Sequence, residues 1–375
     1  MATCAAGSGN AGRTPWHSLP PAEERLRMNE RFRALVYGTV FAVVVGWVLY
    51  IGQDILVPIV FSVLVMYVII GSARFLARLP VIGPALPVYV HYGLSTLAIL
   101  VALLLLGWLT MDSVDALVAQ APHYQAQLVG LVQRGGLLFG VQSDPSWESI
   151  RQYVLAQVNL QTLATTSLRW VVAILASLSV VGLYVVFLMI ERGNVDAKLA
   201  RLSPDPAQNA RIRQVMTDIN GRIGAYLALK TLLSVLLGLA TWVILALFGV
   251  ELAVFWALVV GLLNYVPYIG SVLGVALPVA FALLQFGDLK PVLALTAALG
   301  VVQFLNGNLL DPYLMGNSLN LSPFVILVSL TVWSALWGIP GAFLAVPITA
   351  CIVMILAEFS GSRPIAVLLS QKGEV

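Results

Sequence analysis

Charged side chains are scarce in this sequence. Only 10% of the 375 residues are Asp, Glu, Lys or Arg, whereas 60% are hydrophobic, and the mean hydropathy is +0.94. An ordinary soluble domain has about 25% charged residues. The composition therefore excludes a soluble globular protein and predicts a membrane protein.

Residues that carry catalytic or metal chemistry are also rare. The chain has three histidines, which are scattered along the sequence. It has two cysteines: Cys4 lies in the polar N-terminal segment and Cys351 inside an apolar run, so the sequence predicts no structural disulfide between them. The sequence lacks HExxH, Walker-type and GxSxG motifs. We therefore predict no catalytic residues, no metal site, no cofactor and no ATP-driven pump: the protein is not expected to be an enzyme.

Basic residues do not form a separate domain, although the formal net charge is +3. They alternate with long apolar stretches, so the sequence predicts no nucleic-acid binding. Fifteen of the 20 Lys and Arg residues lie in segments 1–33, 72–87, 191–225 and 359–375. Because cytoplasmic loops carry an excess of Lys and Arg, both termini are expected to face the cytoplasm.

Long apolar runs are what the sequence has in abundance. About 20 apolar residues cross a bilayer, and six segments predict full spans: 34–50, 55–71, 88–111, 170–190, 225–248 and 291–310. Two further apolar regions, 251–286 and 323–358, are broken by Pro and Gly at 264–270 (NYVPYIG) and 337–341 (WGIPG). Each half of a broken region is short for a full span, so each region is either two short spans or a hairpin that enters and leaves on one side.

These spans predict an all-α, polytopic membrane fold with about six full spans and two broken helical hairpins, about eight helical segments in all. The expected organisation places a cytoplasmic arm at 1–33, three transmembrane helices at 34–111, and an extracytoplasmic helical segment at 112–168. A fourth transmembrane helix at 169–190 and a cytoplasmic amphipathic loop at 191–224 follow. The transport core is expected at 225–358 and a cytoplasmic tail at 359–375.

The two broken regions predict a polar cavity in the C-terminal half. Each follows a full span, and an odd number of crossings separates them, which is the pattern of an inverted repeat. Irregular backbone at membrane depth is tolerated only where protein or water satisfies its polar groups. The alternative is that the prolines merely kink two helices. The residues expected to line or shape a substrate pathway are Asn264, Pro267, Gly270, Ser271, Gln303, Asn306, Pro340 and Gly341.

Ionisable residues are nearly confined to predicted helix ends and loops. Asp311, Glu251 and Glu358 are the carboxylates that could be drawn into a pathway and couple an ion. Lys230 and His91 are the main candidates for immersion in the bilayer. We expect both to act as interfacial anchors, since Lys230 lies near the boundary of its span and can extend its amine toward water.

Three segments carry a resemblance to a known family: GRIGAYLALKTLLSVLLG at 221–238, NYVPYIGSVLG at 264–274, and the run from Asn308 to Ala350 with its LSP and WGIPGxxxAVP elements. In order and spacing the chain resembles the autoinducer-2 exporter (AI-2E) family of bacterial inner-membrane transporters. The resemblance implies an integral membrane transporter of about seven or eight helical segments. Some members are associated with export of the quorum-sensing signal autoinducer-2 and others with sodium or lithium export against protons, and membership alone does not choose between these activities. Many members have Glu at the position of Asp311 and a basic residue at that of Tyr313, so a charge pair is altered here.

Three functional interpretations follow. The first is a secondary transporter or facilitator that exports a small, polar, largely uncharged solute, with an autoinducer-2-like signal favoured by the resemblance. The second is a Na⁺(Li⁺)/H⁺ antiporter, and the third a non-transporting membrane scaffold. The expected partners are a small-molecule solute and membrane lipids; a coupling ion (H⁺ or Na⁺) and assembly into a homo-oligomer stay open.

Overall fold

The computed structural model describes residues 22–78, 86–87, 89–101, 104–105, 107–108, 127, 130, 160–199, 205–315 and 319–373. Most of the predicted extracytoplasmic segment 112–168 and much of the predicted arm 1–33 lie outside these residues. Helix α1 belongs to a unit of its own, Met1–Gln53, and the remainder of the chain forms a second unit from Asp54 onward. All contacts given below lie within the second unit.

The described residues are almost entirely helical. The helices are α1 (Ala22–Ile51), α2 (Gln53–Arg78), α3 (Tyr89–Val101), α4 (Leu160–Leu199), α5 (Pro206–Leu247), α6 (Ala253–Leu263), α7 (Ile269–Phe286), α8 (Leu289–Leu305), α9 (Asp311–Met315), α10 (Pro323–Glu358) and α11 (Arg363–Leu369). A π-helical turn, Asn306–Leu310, joins α8 to α9.

Six helical segments are long and apolar enough to cross a membrane: Gln53–Arg74, Ser177–Asn194, Pro206–Leu247, Ile269–Phe286, Leu289–Met315 and Pro323–Glu358. Large apolar side chains on their outer faces are exposed, for example Phe187, Val272 and Leu293. Exposed apolar surface of this extent is typical of a lipid-facing protein. The predicted class, a polytopic helical membrane protein, is confirmed.

Helix α5 begins much earlier than its predicted span. Asp205 has extended backbone and its carboxylate accepts a hydrogen bond from the Ala207 amide at 2.9 Å, while Pro206 occupies the first helical position. An aspartate N-cap followed by proline is a strong helix start. Most of the segment predicted as an amphipathic cytoplasmic loop is therefore continuous with the fifth span.

The first predicted helix break is present. Helix α6 ends at Leu263 and α7 starts at Ile269, with Tyr268 in a positive-φ conformation (φ 60°, ψ −56°). Pro267, which has no amide hydrogen, lies in the connection. The chain then turns so tightly that a Cβ on Gly270 would overlap the carbonyl oxygen of Leu263.

The second predicted break lies inside α10. Gly338 has φ 62° and ψ −139°, a conformation essentially restricted to glycine. Three residues later a Cβ on Gly341 would overlap the carbonyl oxygen of Trp333. Pro347 in the same helix causes no comparable interruption, so the break follows from the glycines of WGIPG together with Pro340. Both breaks thus share one construction, in which a glycine packs directly on the backbone of the preceding helical segment.

Two apolar clusters hold the second unit together. Leu245, Phe281, Ala282, Leu295 and Leu299 pack α5, α7 and α8 against one another. The second cluster centres on Ile69, Val181 and Val185, and joins α2 to α4 with contributions from α3. The first cluster also packs against Ala253 and Trp256 of α6, so it supports the helices on both sides of the first break.

Candidate functional site

A cavity of about 610 Å³ lies beside the first helix break. Its walls come from α5, the 264–268 connection, α7, α8, the π-helical turn, α9, the 319–322 linker, α10 and the C-terminal tail. The polar residues that line it are Tyr226, Lys230, Asn264, Tyr268, Ser271, Gln303, Asn306, Asn308, Asp311, Asn320 and Gln371. The lining is therefore rich in side-chain amides.

Five of the eight predicted pathway residues line this cavity: Asn264, Pro267, Ser271, Gln303 and Asn306. They come from 264–271 and from α8 with its π-helical turn, which the helix break brings face to face.

The other three predicted pathway residues, Gly270, Pro340 and Gly341, do not line the cavity. Gly270 and Gly341 instead set the shape of the two breaks, because each lies against backbone that leaves no room for a side chain. Gly270 and Gly341 therefore determine the geometry of the helix breaks and are not part of the cavity wall.

A chain of buried amides fixes the inner wall. The Asn306 amide nitrogen donates to the Asn264 amide oxygen at 3.1 Å, and the Asn264 amide nitrogen donates to the Ser234 hydroxyl at 3.1 Å. All three side chains are buried. Buried polar groups that bond one another hold the elements carrying them in one arrangement, so this chain ties the π-helical turn, the break and α5 together.

An ion pair stands next to the amide chain. The Lys230 amine lies 2.9 Å from Oδ2 of Asp311, and the two side chains are 7% and 26% exposed. The expectation that Lys230 is an interfacial anchor is wrong: its amine is directed inward to a carboxylate. The pair joins α5 to the start of α9. Its side chains are more buried than those of the Lys198–Glu191 and Arg211–Glu358 pairs.

The π-helical turn explains how Asp311 reaches Lys230. The backbone amide of Asp311 donates to the carbonyl of Asn306, five residues earlier. Because such a turn bonds residue i to residue i+5, it brings Asn306 and Asp311 to the same side of the helix. Both then line the cavity, whereas the sequence predicts Asp311 at a helix end or in a loop.

The break is further held by Tyr265. Its hydroxyl is 2.7 Å from that of Thr231 on α5, and its ring stacks on Phe343 of α10 with centroids 6.1 Å apart. These contacts connect the first break to the second broken helix. Sequence reasoning did not single out Tyr265, because an aromatic residue in an apolar region gives no specific signal.

The C-terminal tail forms part of the cavity wall. The Ser322 amide donates to the Leu369 carbonyl at 3.1 Å, and the Gln371 amide donates to the Asn320 carbonyl at 3.0 Å. Asn320 and Gln371 both line the cavity. The tail predicted simply as a cytoplasmic extension therefore folds back onto the linker before α10.

Glu251 and Glu358 do not line the cavity. The amide of Glu251 donates to Gln285 Oε1 at 2.9 Å, and the Gln285 amide nitrogen donates to the Gly249 carbonyl at 2.9 Å, which fixes the α5–α6 turn. Glu358 pairs with Arg211 at 3.4 Å. Of the three carboxylates predicted as ion-coupling candidates, the structure brings only Asp311 to the cavity.

Among the residues that the structure describes, no three His, Cys, Asp or Glu side chains converge in a way that could hold a metal ion. The chemistry of the cavity is that of amides, hydroxyls and one ion pair. Such groups exchange hydrogen bonds with a solute, and nothing in their arrangement activates a nucleophile.

Comparison with known proteins supports a transport role. Residues 39–361 match the family described as "AI-2E family transporter". The chain is 32% identical over 278 residues to "AI-2 transport protein TqsA" of Escherichia coli (strain K12), covering 74% of this chain and 79% of that protein.

Two further relatives carry transport names. "Putative transport protein" of Borreliella burgdorferi is 32% identical over 262 residues, covering 68% of this chain and 70% of that protein. "Putative transport protein YrrI" of Bacillus subtilis (strain 168) is 25% identical over 326 residues, covering 83% and 88%.

The predicted family, the multi-pass membrane fold and the absence of an enzymatic role all agree with these matches. The two helix breaks lie within the matched residues, as do the residues that line the cavity with the exception of Gln371. This chain therefore belongs to the AI-2E family of membrane transport proteins.

Proposed function

We propose that this transporter exports a small, polar, largely uncharged solute, such as an autoinducer-2-like signal, through the cavity at the first helix break. The observation that carries the proposal is the buried amide chain of Asn264 and Asn306 beside an open polar cavity. The similarity to a protein named AI-2 transport protein supports autoinducer-2 as the candidate solute.

The size and chemistry of the cavity suit such a solute. Its volume of about 610 Å³ lies within the range of roughly 300–1,000 Å³ usual for small-molecule sites. Amide side chains both donate and accept hydrogen bonds, so Asn264, Gln303 and Asn308 can match the hydroxyl groups of a polyhydroxylated molecule. Fixed net charge, which would favour an ionic solute, is absent from the lining residues because Lys230 and Asp311 are paired.

We place the protein in the bacterial inner membrane with both termini in the cytoplasm. The excess of Lys and Arg in segments 1–33, 191–225 and 359–375 supports this orientation. Exit of a cytoplasmic solute then proceeds from the side of the C-terminal tail, past the helix break, to the other face. No observation favours the antiporter or the scaffold alternative over export of an uncharged solute.

The export proposal is tested by the distribution of autoinducer-2 between cytoplasm and medium. Cells that lack the protein are compared with cells that express wild type, Asn264→Ala or Gln303→Ala. Gln208→Ala, an exposed amide on α5 that does not line the cavity, is the matched control. Membrane levels of every variant are measured by immunoblot.

Wild type and Gln208→Ala are expected to lower the internal pool, whereas Asn264→Ala and Gln303→Ala are expected to leave it high. An internal pool that does not respond to wild-type expression would refute autoinducer-2 as the solute. Full export by both cavity variants would refute this cavity as the pathway.

A further inference from the structure

Within the described part of the chain, Oδ1 of Asn306 and Oδ1 of Asp311 are buried acceptor oxygens without a hydrogen-bond donor. Asn306 is 3% exposed and both residues line the cavity. A buried acceptor without a donor is costly, and a donor group on a solute would remove that cost.

The neighbouring charge limits what that ligand can be. The second oxygen of Asp311 is 2.9 Å from the Lys230 amine, so the carboxylate and the amine cancel each other's charge. A cation that approaches Asp311 also approaches Lys230, and an anion that approaches Lys230 also meets Asp311. An ionic solute loses hydration when it enters a half-enclosed site. Because both charges of the site are already paired, neither a cation nor an anion finds a counter-ion that compensates for this loss.

We infer that the Lys230–Asp311 pair makes this cavity selective for solutes without net charge, whose hydroxyl groups donate to Oδ1 of Asn306 and Oδ1 of Asp311. This inference rests on the proposed function and names the recognition rule of the same site. Asp311 and Asn306 are binding residues. Lys230 is a positioning residue, since it holds Asp311 and neutralises it.

Hydroxyl donors fit because they satisfy both acceptors and leave the charge of the site unchanged. The π-helical turn brings the two acceptors to one side of the helix through the bond from the Asp311 amide to the Asn306 carbonyl. The Asn306 amide nitrogen is already used by Asn264 at 3.1 Å. The orientation of Asn306 is thereby fixed with its oxygen free to accept.

The inference predicts that selectivity follows the net charge of the pair. Asp311→Asn leaves Lys230 as an unpaired cation, and Lys230→Gln leaves Asp311 as an unpaired anion. The double variant Lys230→Gln/Asp311→Asn removes both charges, keeps the shape of the Asp311 side chain and replaces Lys230 with a shorter polar side chain. Glu251→Gln is the matched control, because it removes a carboxylate that does not line the cavity.

The test measures flux into proteoliposomes that contain the purified full-length protein. The probes are ribitol, the ribonate anion and the cation of 1-amino-1-deoxyribitol, which share their hydroxyl groups and differ in charge. Flux ratios to ribitol are compared within each variant, so differences in the amount of active protein cancel.

Wild type and Glu251→Gln are expected to prefer ribitol over both ions. Asp311→Asn should raise the ribonate-to-ribitol ratio, and Lys230→Gln the aminoribitol-to-ribitol ratio, each about tenfold or more, as expected for a cleft of one charge sign. The double variant should return both ratios toward wild type. If one single variant does not insert, the other single variant tests the inference, with the double variant as its reference of unchanged net charge.

Unchanged ratios in Asp311→Asn and Lys230→Gln proteins that still carry ribitol would overturn the inference and leave the proposed function standing. A preference of wild type for either ion would also overturn it. A wild-type protein that carries none of the three probes and does not export autoinducer-2 would overturn the proposed function itself.

Discussion

Gly270 provides a sharp test of the way in which the first helix break is built. In Gly270→Ala the new Cβ would overlap the carbonyl oxygen of Leu263 and lie 2.7 Å from its carbonyl carbon. Favourable carbon–carbon contacts occur at about 3.5–4.0 Å. The start of α7 would therefore have to move by about 1 Å away from the end of α6.

The displaced atoms are backbone rather than a flexible side chain, so the strain is not relieved by a rotamer change. Overpacking of this kind costs about 1–3 kcal/mol or more. The movement would also pull Ser271 and Asn264 apart, both of which line the cavity. We expect a fall of several degrees in apparent melting temperature in detergent, together with a loss of solute flux.

Gly182→Ala on α4 is the matched control, since nothing lies within 4 Å of a Cβ at that position, alanine favours a helix, and Gly182 does not line the cavity. Unfolding is followed by intrinsic tryptophan fluorescence during heating, and flux is measured in proteoliposomes. A Gly270→Ala protein as stable and active as Gly182→Ala would refute the tight backbone approach at the break.

Three further predictions concern the second broken helix and the tail. Gly338→Ala should lower stability by about 1–3 kcal/mol, because alanine is strained at φ 62°, ψ −139° although its Cβ meets no neighbour; thermal unfolding in detergent checks this, and an unchanged melting temperature would contradict it. Thr349→Val keeps the side-chain shape but leaves the Trp333 indole N–H without its acceptor at 3.2 Å, so a loss of about 1–3 kcal/mol is expected in the same assay, with equal stability counting against the bond. Removal of residues 370–375 should open one end of the cavity, since the Gln371 amide then no longer binds the Asn320 carbonyl; a cysteine at position 320, with the native cysteines replaced, should react faster with a charged maleimide, and an equal rate would show that the tail does not close the cavity.

The sequence predicted the helix breaks well because proline and glycine act locally. Pro267 removes a backbone donor, and Gly338 permits a conformation that other residues avoid. Amides in apolar segments likewise require partners, which is why Asn264 and Asn306 could be expected to share one polar site. Each inference depends on a property of single residues and their immediate neighbours.

The ion pair could not be predicted in the same way. Lys230 and Asp311 are 81 positions apart, and each had a satisfactory local explanation, one as an anchor near a boundary and the other as a loop residue. Only the π-helical turn places Asp311 on the inner side of the chain, and a π-turn leaves no clear periodic signal. The contact of the tail with the 320–322 linker was missed for the same reason, because it depends on tertiary packing.

The central claim is that solute passes through the cavity beside the first helix break. Gly300 lines this cavity and has open space around its Cβ position, so Gly300→Leu would narrow the cavity with a side chain whose Cβ meets no neighbouring atom. Gly182→Leu, on α4 and also without neighbours within 4 Å, adds the same side chain outside it. The decisive measurement is autoinducer-2 flux in proteoliposomes: loss in Gly300→Leu with retention in Gly182→Leu is predicted, and equal flux through both variants would contradict the account.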